Sequence, residues 1–183
     1  MSELALQLIH ENIKKHQRGE DARSLDLGNC GLTGVPVEIG QCTWLEALNF
    51  ASTTFYWDGK NWTEWQSQNT GESNHLSQLS DSFSELKNLK RLVLCGPFGQ
   101  PVDLNDISII SELKNLQEFY FWNTGVSDLS PLAGLSGLQI LDCNSTSVSD
   151  LSPLAGLSGL QNLDCSSTSV SDLSPLAGLS GLQ

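Results

Sequence analysis

The sequence predicts a solenoid, a domain built from stacked copies of one short unit. Residues 129–150 and 151–172 are identical except that positions 140 and 144 differ from their counterparts 162 and 166. A third copy begins at Leu173, again 22 residues after the previous one. A fixed period of this length is typical of repeats that bury their apolar side chains only by stacking on their neighbours.

Apolar residues in the same phase extend the repeat towards the N-terminus. The unit reads L-x-x-L-x-C-x-x-T-x-V and starts at Leu138. Alternation within a strand places Leu141 and Cys143 inside, and we expect the intervening side chains to face outward: Ile140, Asp142 and Asn144. The same frame fits the earlier apolar triplets Leu116/Phe119/Phe121, Leu89/Leu92/Leu94 and Leu45/Leu48/Phe50 and a first unit beginning at Leu25.

This pattern resembles the leucine-rich repeat, with Thr where Asn or Cys often stands. The resemblance covers about residues 22–183. It implies an α/β fold, a right-handed horseshoe solenoid with a parallel β-sheet on the concave face and short turns on the convex face. The convex segments are short, so we expect 3₁₀ or single-turn helices. Asp128, Asp150 and Asp172 precede these turns, and capping is a better interpretation than calcium binding, since no second set of oxygen ligands accompanies each Asp.

The two ends of the chain are predicted to differ. Residues 1–21 are predicted to form a capping unit with an amphipathic helix over roughly residues 3–17, with Ser2 as N-cap and apolar positions at helical spacing: Leu6, Ile9 and Ile13. The solenoid over 22–183 is expected to be truncated at its C-terminus. An uncapped last unit would invite self-association.

Two insertions, residues 53–73 and 97–101, interrupt the repeat just after a strand. Insertions at the same point of successive units emerge on the same edge, so the two should be neighbours. Asp58-Gly59 predicts a hairpin turn in the longer one. Its aromatic residues can anchor an interface or pack on each other, and the sequence leaves both open: Phe55, Tyr56, Trp57, Trp62 and Trp65. Tyr120 and Trp122 lie beside the loops, outward on the concave face, where we expect no core for them to fill and favour a binding role.

Composition excludes several classes of function. The net charge of −12 argues against nucleic acid and favours a protein partner with a basic surface. No apolar run reaches the length of a membrane span, and no signal peptide is recognisable. Five cysteines, an odd number, are expected to be small buried thiols in the reducing cytoplasm. No cofactor motif, metal-ligand spacing or nucleophile motif stands out. Asp142 and Asp164 lie on adjacent strands, but we expect them on an open face, where no pocket would shift their pKa values for catalysis. We therefore expect no enzymatic activity.

Two further resemblances bear on function. Two segments, ALQLIHENIKKHQRGEDARSLDLGNCGLTGVPVEIGQCTWLEALNF and FYWDGKNWTEWQSQNTGESNHL, resemble the start of certain bacterial multidomain proteins. In those proteins a leucine-rich-repeat array precedes signalling modules such as the Ras-like GTPase of the Roco family. The LSPLAGL blocks resemble internalin-type arrays. These resemblances imply a bacterial module that binds a protein partner on the concave face and the insertion-bearing edge. The alternative is a regulatory repeat domain of a larger Roco-type GTPase or other signalling enzyme whose catalytic domain lies beyond this chain. The predicted partner-binding residues are Tyr56, Trp57, Trp62, Trp65, Arg91, Phe98, Tyr120, Trp122, Asp142 and Asp164.

Overall fold

The computed structural model describes residues 2–57 and 61–182, apart from the side chains of Trp57 and Trp62. Among these residues a single α-helix, α1, spans Glu3–Gln17. The strands are β1 Ser24–Asp26, β2 Ala47–Asn49, β3 Thr53–Trp57, β4 Trp62–Gln66, β5 Arg91–Val93, β6 Glu118–Tyr120, β7 Ile140–Asp142 and β8 Asn162–Asp164. Six of them form one parallel sheet in the order β1-β2-β5-β6-β7-β8.

The central residue of each strand in this sheet forms a row across the solenoid. Leu141 is paired in register with Phe119 on one side and Leu163 on the other. The row continues through Leu92 and Leu48 to Leu25. Leu141 and Cys143 are fully buried in the main core, as the repeat phase predicts. Each fully buried leucine of such a row contributes about 2 kcal/mol.

The convex side consists of 3₁₀ helices, as predicted: Val37–Gln41, Asp81–Glu85, Ser108–Glu112, Ser130–Leu132, Ser152–Leu154 and Ser174–Leu176. The Asp before each of the last three binds the first residue of the turn. Asp150, for example, accepts hydrogen bonds of 2.8 Å from the Ser152 backbone N–H and of 2.7 Å from its hydroxyl. These bonds lower the pKa of the Asp150 carboxyl. Each Asp thus binds a backbone N–H at the start of its turn, as the capping prediction requires, but from one residue before the N-cap leucine.

Helix α1 closes the N-terminal end of the main core. Its N-cap Ser2 accepts a 3.4 Å hydrogen bond from the Ala5 N–H, as the sequence predicts. Asn12 is buried and donates to the carbonyls of Ala22 and Ser24, both at 3.1 Å, while its own oxygen accepts from the Trp44 indole at 3.0 Å. A polar side chain thus fixes the helix on the first repeat. This helix is too short and too polar to cross a membrane, and no other described helix could.

The longer insertion forms an antiparallel hairpin. β3 pairs with β4 from Thr53–Gln66 to Trp57–Trp62. The predicted Asp58-Gly59 turn lies outside the described residues. At the base of the hairpin the Ser52 and Ser73 hydroxyls are hydrogen-bonded at 3.0 Å. The hairpin therefore leaves and re-enters the solenoid at nearly one point.

The repeat resumes at Asn74, which is buried and uses its whole hydrogen-bonding capacity. Its amide donates to the carbonyls of Leu27 at 2.8 Å and Phe50 at 2.7 Å. Its oxygen accepts from the backbone N–H groups of Cys30 at 3.2 Å and Leu32 at 2.8 Å. One side chain thereby ties the chain after the insertion to the first two units.

The five cysteines are free thiols, four of them buried and Cys165 partly exposed. Burial raises the pKa of Cys30 and of Cys42 to about 11. It also raises the pKa of the buried Cys95 and Cys143. Thiols held neutral in this way behave as small apolar side chains, as the sequence predicts.

Candidate binding site on the concave face

A second apolar cluster lies on the concave side of the sheet, opposite the main core. Its buried members are Ala51, Val93, Cys95, Tyr120, Trp122 and Ile140. Tyr120 is fully buried, and Trp122 and Ile140 are 5% and 6% exposed. The expectation that the two aromatic residues have no core to fill is therefore wrong. So is the assignment of Ile140 to the surface, although all three face the concave side as predicted.

The physical reason is that the β3–β4 hairpin packs over the concave face. Thr54 is buried and Tyr56 packs against the cluster, whereas Phe55 between them is 39% exposed. This alternation is that of a strand with one face on a core. The segment after β4 is hydrogen-bonded to the first repeat, where the Ser67 hydroxyl donates to Asp26 at 2.8 Å and the Asn69 amide donates to the Gly28 carbonyl at 2.9 Å.

Arg91 lies beneath the hairpin and is already engaged by this chain. Its guanidinium binds both carboxylate oxygens of Glu118, at 2.6 and 2.8 Å, and lies 5.3 Å from the centre of the Tyr56 ring. The Tyr120 hydroxyl donates to the same carboxylate at 3.0 Å. Glu118 holds the pKa of Arg91 above its ordinary value. The predicted binding residues Arg91, Tyr56 and Tyr120 thus hold the hairpin on the sheet.

Trp65, another predicted binding residue, borders a cleft of 290 Å³ between the hairpin and strands β1, β2 and β5. The ring is partly buried there beside Thr54 and Tyr56. The side chains of Trp57 and Trp62, also predicted to bind, lie outside the described part of the chain. Of the two interpretations left open for the aromatic loop, packing therefore holds for Tyr56 and to a lesser extent for Trp65.

The two insertions meet at a second pocket, which we call the acidic pocket. It has a volume of 270 Å³ and is lined by Phe55, Phe98, Trp122, Asp142, Asn144 and Asp164. The Phe98 and Trp122 ring centres are 4.6 Å apart, with the rings tilted by 33°. Phe98 itself is 65% exposed. The prediction that the two insertions are neighbours is confirmed.

Asp142 and Asp164 supply the negative charge of the acidic pocket. They are register partners on β7 and β8, as predicted, but Asp142 is only 5% exposed rather than on an open face. Its Oδ1 accepts hydrogen bonds from the Asn144 backbone N–H at 3.1 Å and the Asn144 amide at 2.7 Å. Desolvation raises the pKa of Asp142 to about 6, the Asn144 hydrogen bonds oppose the rise, and the Asp164 charge adds to it.

Four predicted residues come together in the acidic pocket: Phe98, Trp122, Asp142 and Asp164. Phe55 and Asn144 line it as well but are absent from the predicted set. Phe55 was identifiable as the solvent-facing residue of an alternating strand. Asn144 carried a weaker signal, because it differs between the near-identical repeats and stands at an outward position.

The described residues offer no metal site, since they contain no group of three or more His, Cys, Asp or Glu side chains placed to hold an ion. The acidic pocket joins two carboxylates to aromatic walls. Such walls pack on alkyl chains and attract cations at their faces. The arrangement can therefore bind a positively charged group that carries an apolar stem.

Comparison with known proteins agrees with this fold. A family model described as leucine-rich repeats in two copies matches residues 114–156. No curated protein matches the sequence. An internalin (InlF) from Listeria monocytogenes is 23% identical with a TM-score of 0.62, and the match covers 82% of this chain but 36% of that one. Internalin C2 from the same species is 22% identical with a TM-score of 0.63, covering 96% of this chain and 89% of that one.

A plant structure shares the same architecture. The leucine-rich-repeat ectodomain of the Arabidopsis thaliana membrane receptor kinase GASSHO1/SCHENGEN3, in complex with Casparian Strip Integrity Factor 2, is 20% identical with a TM-score of 0.59. The match covers 87% of this chain and 17% of that one. The fold is thus a leucine-rich-repeat horseshoe, and the predicted fold class is confirmed. The resemblance to Roco-type proteins stays a prediction.

Proposed function

We propose that this leucine-rich-repeat chain is a non-enzymatic interaction module that binds a protein with a basic surface at the acidic pocket. One observation carries the proposal. The exposed large hydrophobic side chains of the described residues are Val37, Phe55, Phe98 and Leu173, and two of these four border the acidic pocket. Exposed aromatic residues beside a pocket are the usual anchors of a protein interface.

The surroundings of the pocket support the same partner. Residues 103–183 contain nine acidic residues and one basic residue, Lys114. The half of this chain that contains Asp142 and Asp164 is therefore strongly negative. Charge of one sign over a surface steers an oppositely charged partner to it. The receptor kinase ectodomain of the same fold is likewise described in complex with a partner. Because the hairpin covers the concave face beside β1, β2 and β5, we place the interface at β7, β8 and the two insertions.

Selection from a displayed peptide library tests this function. Wild-type chain is used for panning, and the selected peptides are titrated by biolayer interferometry against Phe98→Ala and against Val37→Ala. Val37 is 63% exposed on a convex 3₁₀ helix, so it is a matched control for loss of an exposed apolar side chain. We expect Phe98→Ala to weaken binding by about 2 kcal/mol and Val37→Ala to leave it unchanged. Equal binding by both variants would contradict the proposed site.

The alternative is a regulatory repeat domain of a larger signalling enzyme. It would use the same binding surface, but the protein would also contain a catalytic domain outside this chain. The chain spans only 36% of the InlF structure, so arrays of this kind occur within longer chains. Location in the cytoplasm and self-association through the C-terminal unit stay predictions. The five free thiols support the first, and the 60% exposure of Leu173 supports the second.

A further inference from the structure

We infer that the acidic pocket is a receptor for a single basic side chain, lysine or arginine, of the partner protein. This inference rests on the proposed function and names the group that the site recognises. The volume of 270 Å³ lies below the range of roughly 300–1,000 Å³ that is usual for pockets enclosing a whole small ligand. The pocket is large enough for one long side chain that projects from the surface of a partner protein.

The chemistry of the walls matches the two portions of such a side chain. Phe98 and Trp122, whose rings are 4.6 Å apart, supply apolar surface and aromatic faces. Lysine and arginine bury their alkyl stems against such surface and place their charge over aromatic rings or against carboxylates. Asp142 and Asp164, paired across β7 and β8, provide two carboxylates on the same pocket wall.

The carboxylate of Asp142 has capacity left for a ligand. Both hydrogen bonds from Asn144 end on Oδ1, and within the described stretches of the chain no hydrogen bond reaches Oδ2. The side chain is 5% exposed, so water solvates it poorly. A buried carboxylate without a counter-ion is unfavourable, and a cation that binds it removes much of that cost.

None of the described residues provides that counter-ion. Arg91, on the concave side, is occupied by Glu118 in a two-bond ion pair. Lys114, the single base between residues 103 and 183, lies beside Gly134, at the end of the convex 3₁₀ turn. Among the described residues no ion pair involves Asp142 or Asp164. A basic side chain of the partner protein supplies the counter-ion that the described residues lack.

Blocked single amino acids provide a direct test that does not depend on a known partner. N-acetyl-lysine methylamide, its arginine equivalent and the neutral N-acetyl-norleucine methylamide are titrated against the whole chain, and NMR follows the Trp122 indole and the Asn144 amide. We expect both basic probes to shift these signals until the shifts saturate. The dissociation constant of the norleucine probe should be at least roughly tenfold higher than that of either basic probe. Norleucine binding as tightly as lysine would overturn the inference.

Charge-matched variants separate the pocket from the general negative field. Asp142→Asn keeps an oxygen to accept the Asn144 hydrogen bonds but removes the charge, and Asp164→Asn removes the second charge. Asp150→Asn removes the same charge from a convex turn and serves as control. We expect roughly tenfold weaker binding of the basic probes for each pocket variant and no change for the control. Equal effects in all three variants would also overturn the inference. Basic library peptides that require Phe98 but bind Asp142→Asn and Asp164→Asn as tightly as wild type would leave the proposed function standing and refute this inference alone.

Discussion

Arg91 and Glu118 are register partners on β5 and β6, and their side chains form a two-bond ion pair of 2.6 and 2.8 Å. Because Arg91 also lies 5.3 Å from the Tyr56 ring centre, the pair connects the sheet to the hairpin that covers it. The side chains are 39% and 20% exposed, so the pair is shielded from water more than the other ion pairs of the described residues. The hairpin is therefore held by a specific contact as well as by apolar packing.

The first prediction concerns this pair. Glu118→Gln should destabilise the chain by about 1 kcal/mol and should speed hydrogen exchange of the β3 amides, since Arg91 loses its charged partner. The control is Glu112→Gln, which removes the exposed Lys87–Glu112 pair, with side chains 55% and 53% exposed. That change should cost less than about 0.5 kcal/mol. Urea denaturation and hydrogen exchange measure both, and equal exchange rates in β3 would mean that the pair does not fix the hairpin.

The second prediction concerns Asn74. Asn74→Ala should destabilise the chain by at least about 3 kcal/mol, because it leaves buried backbone donors and acceptors of the neighbouring units without partners. Asn115 is a control of the same residue type. It is exposed and donates one 2.7 Å hydrogen bond to the Lys87 carbonyl, so Asn115→Ala should cost about 1 kcal/mol or less. Denaturant titration of both variants measures the loss in free energy of unfolding. Similar midpoints would show that Asn74 is dispensable for joining the units.

The third prediction follows from the second apolar cluster. Ile140→Asp should destabilise the chain by roughly 3 kcal/mol or more, because it places a charge among buried apolar side chains. Its register partner Asn162 occupies the same position one repeat later and is partly exposed, so Asn162→Asp should stay within about 1 kcal/mol of wild type. Thermal melts of the two variants test this difference. An Ile140→Asp chain that melts like wild type would mean that the second apolar cluster does not extend to β7.

The fourth prediction is a pH dependence. The pKa of Asp142 is about 6 in the folded chain and about 3.9 in an unfolded one, so the folded chain binds more protons between these values. Stability contributed by this site therefore falls as the pH rises from about 4 to about 6. Asp142→Asn should remove the fall, with an advantage over wild type that grows from near zero at pH 4 to as much as about 3 kcal/mol at pH 7.

A control for the pH prediction is Asp150→Asn. Hydrogen bonds from Ser152 lower the pKa of Asp150, so its charged form favours folding at neutral pH and is lost as the pH falls through the folded value. The two variants should change stability in opposite directions at pH 7. Urea denaturation between pH 4 and pH 7 measures how much each variant differs from wild type in free energy of unfolding. If that difference for Asp142→Asn does not change with pH, the assigned pKa is wrong.

The sequence predicted the solenoid and its phase because apolar side chains recur at the same positions every 22 residues, where each unit must bury them against its neighbours. Leu141, Cys143 and the convex turns follow from that periodicity. The periodicity alone could not predict that Tyr120 and Ile140 are buried, because the repeat unit does not include the hairpin that packs over the concave face. A usable signal existed in the runs Leu92–Cys95 and Phe119–Trp122, which are apolar at successive positions rather than at alternate ones. Continuous apolar runs are typical of strands buried on both faces. The acidic pocket needed the fold, since it joins side chains from two insertions and three strand ends.

The hydrogen bond between Ser52 and Ser73 at the base of the hairpin has a consequence for how this molecule can change. The Asn74 amide donates to the Phe50 carbonyl and so joins the two ends of the insertion. The hairpin can therefore change in length without shifting the units that follow, as long as Thr54 and Tyr56 still cover the second apolar cluster. Exposed loop tips are the positions at which proteins tolerate insertion best. The repeats are thus a constant frame, and changes at exposed hairpin positions such as Phe55 could alter the bound ligand while the rest of the solenoid stays the same.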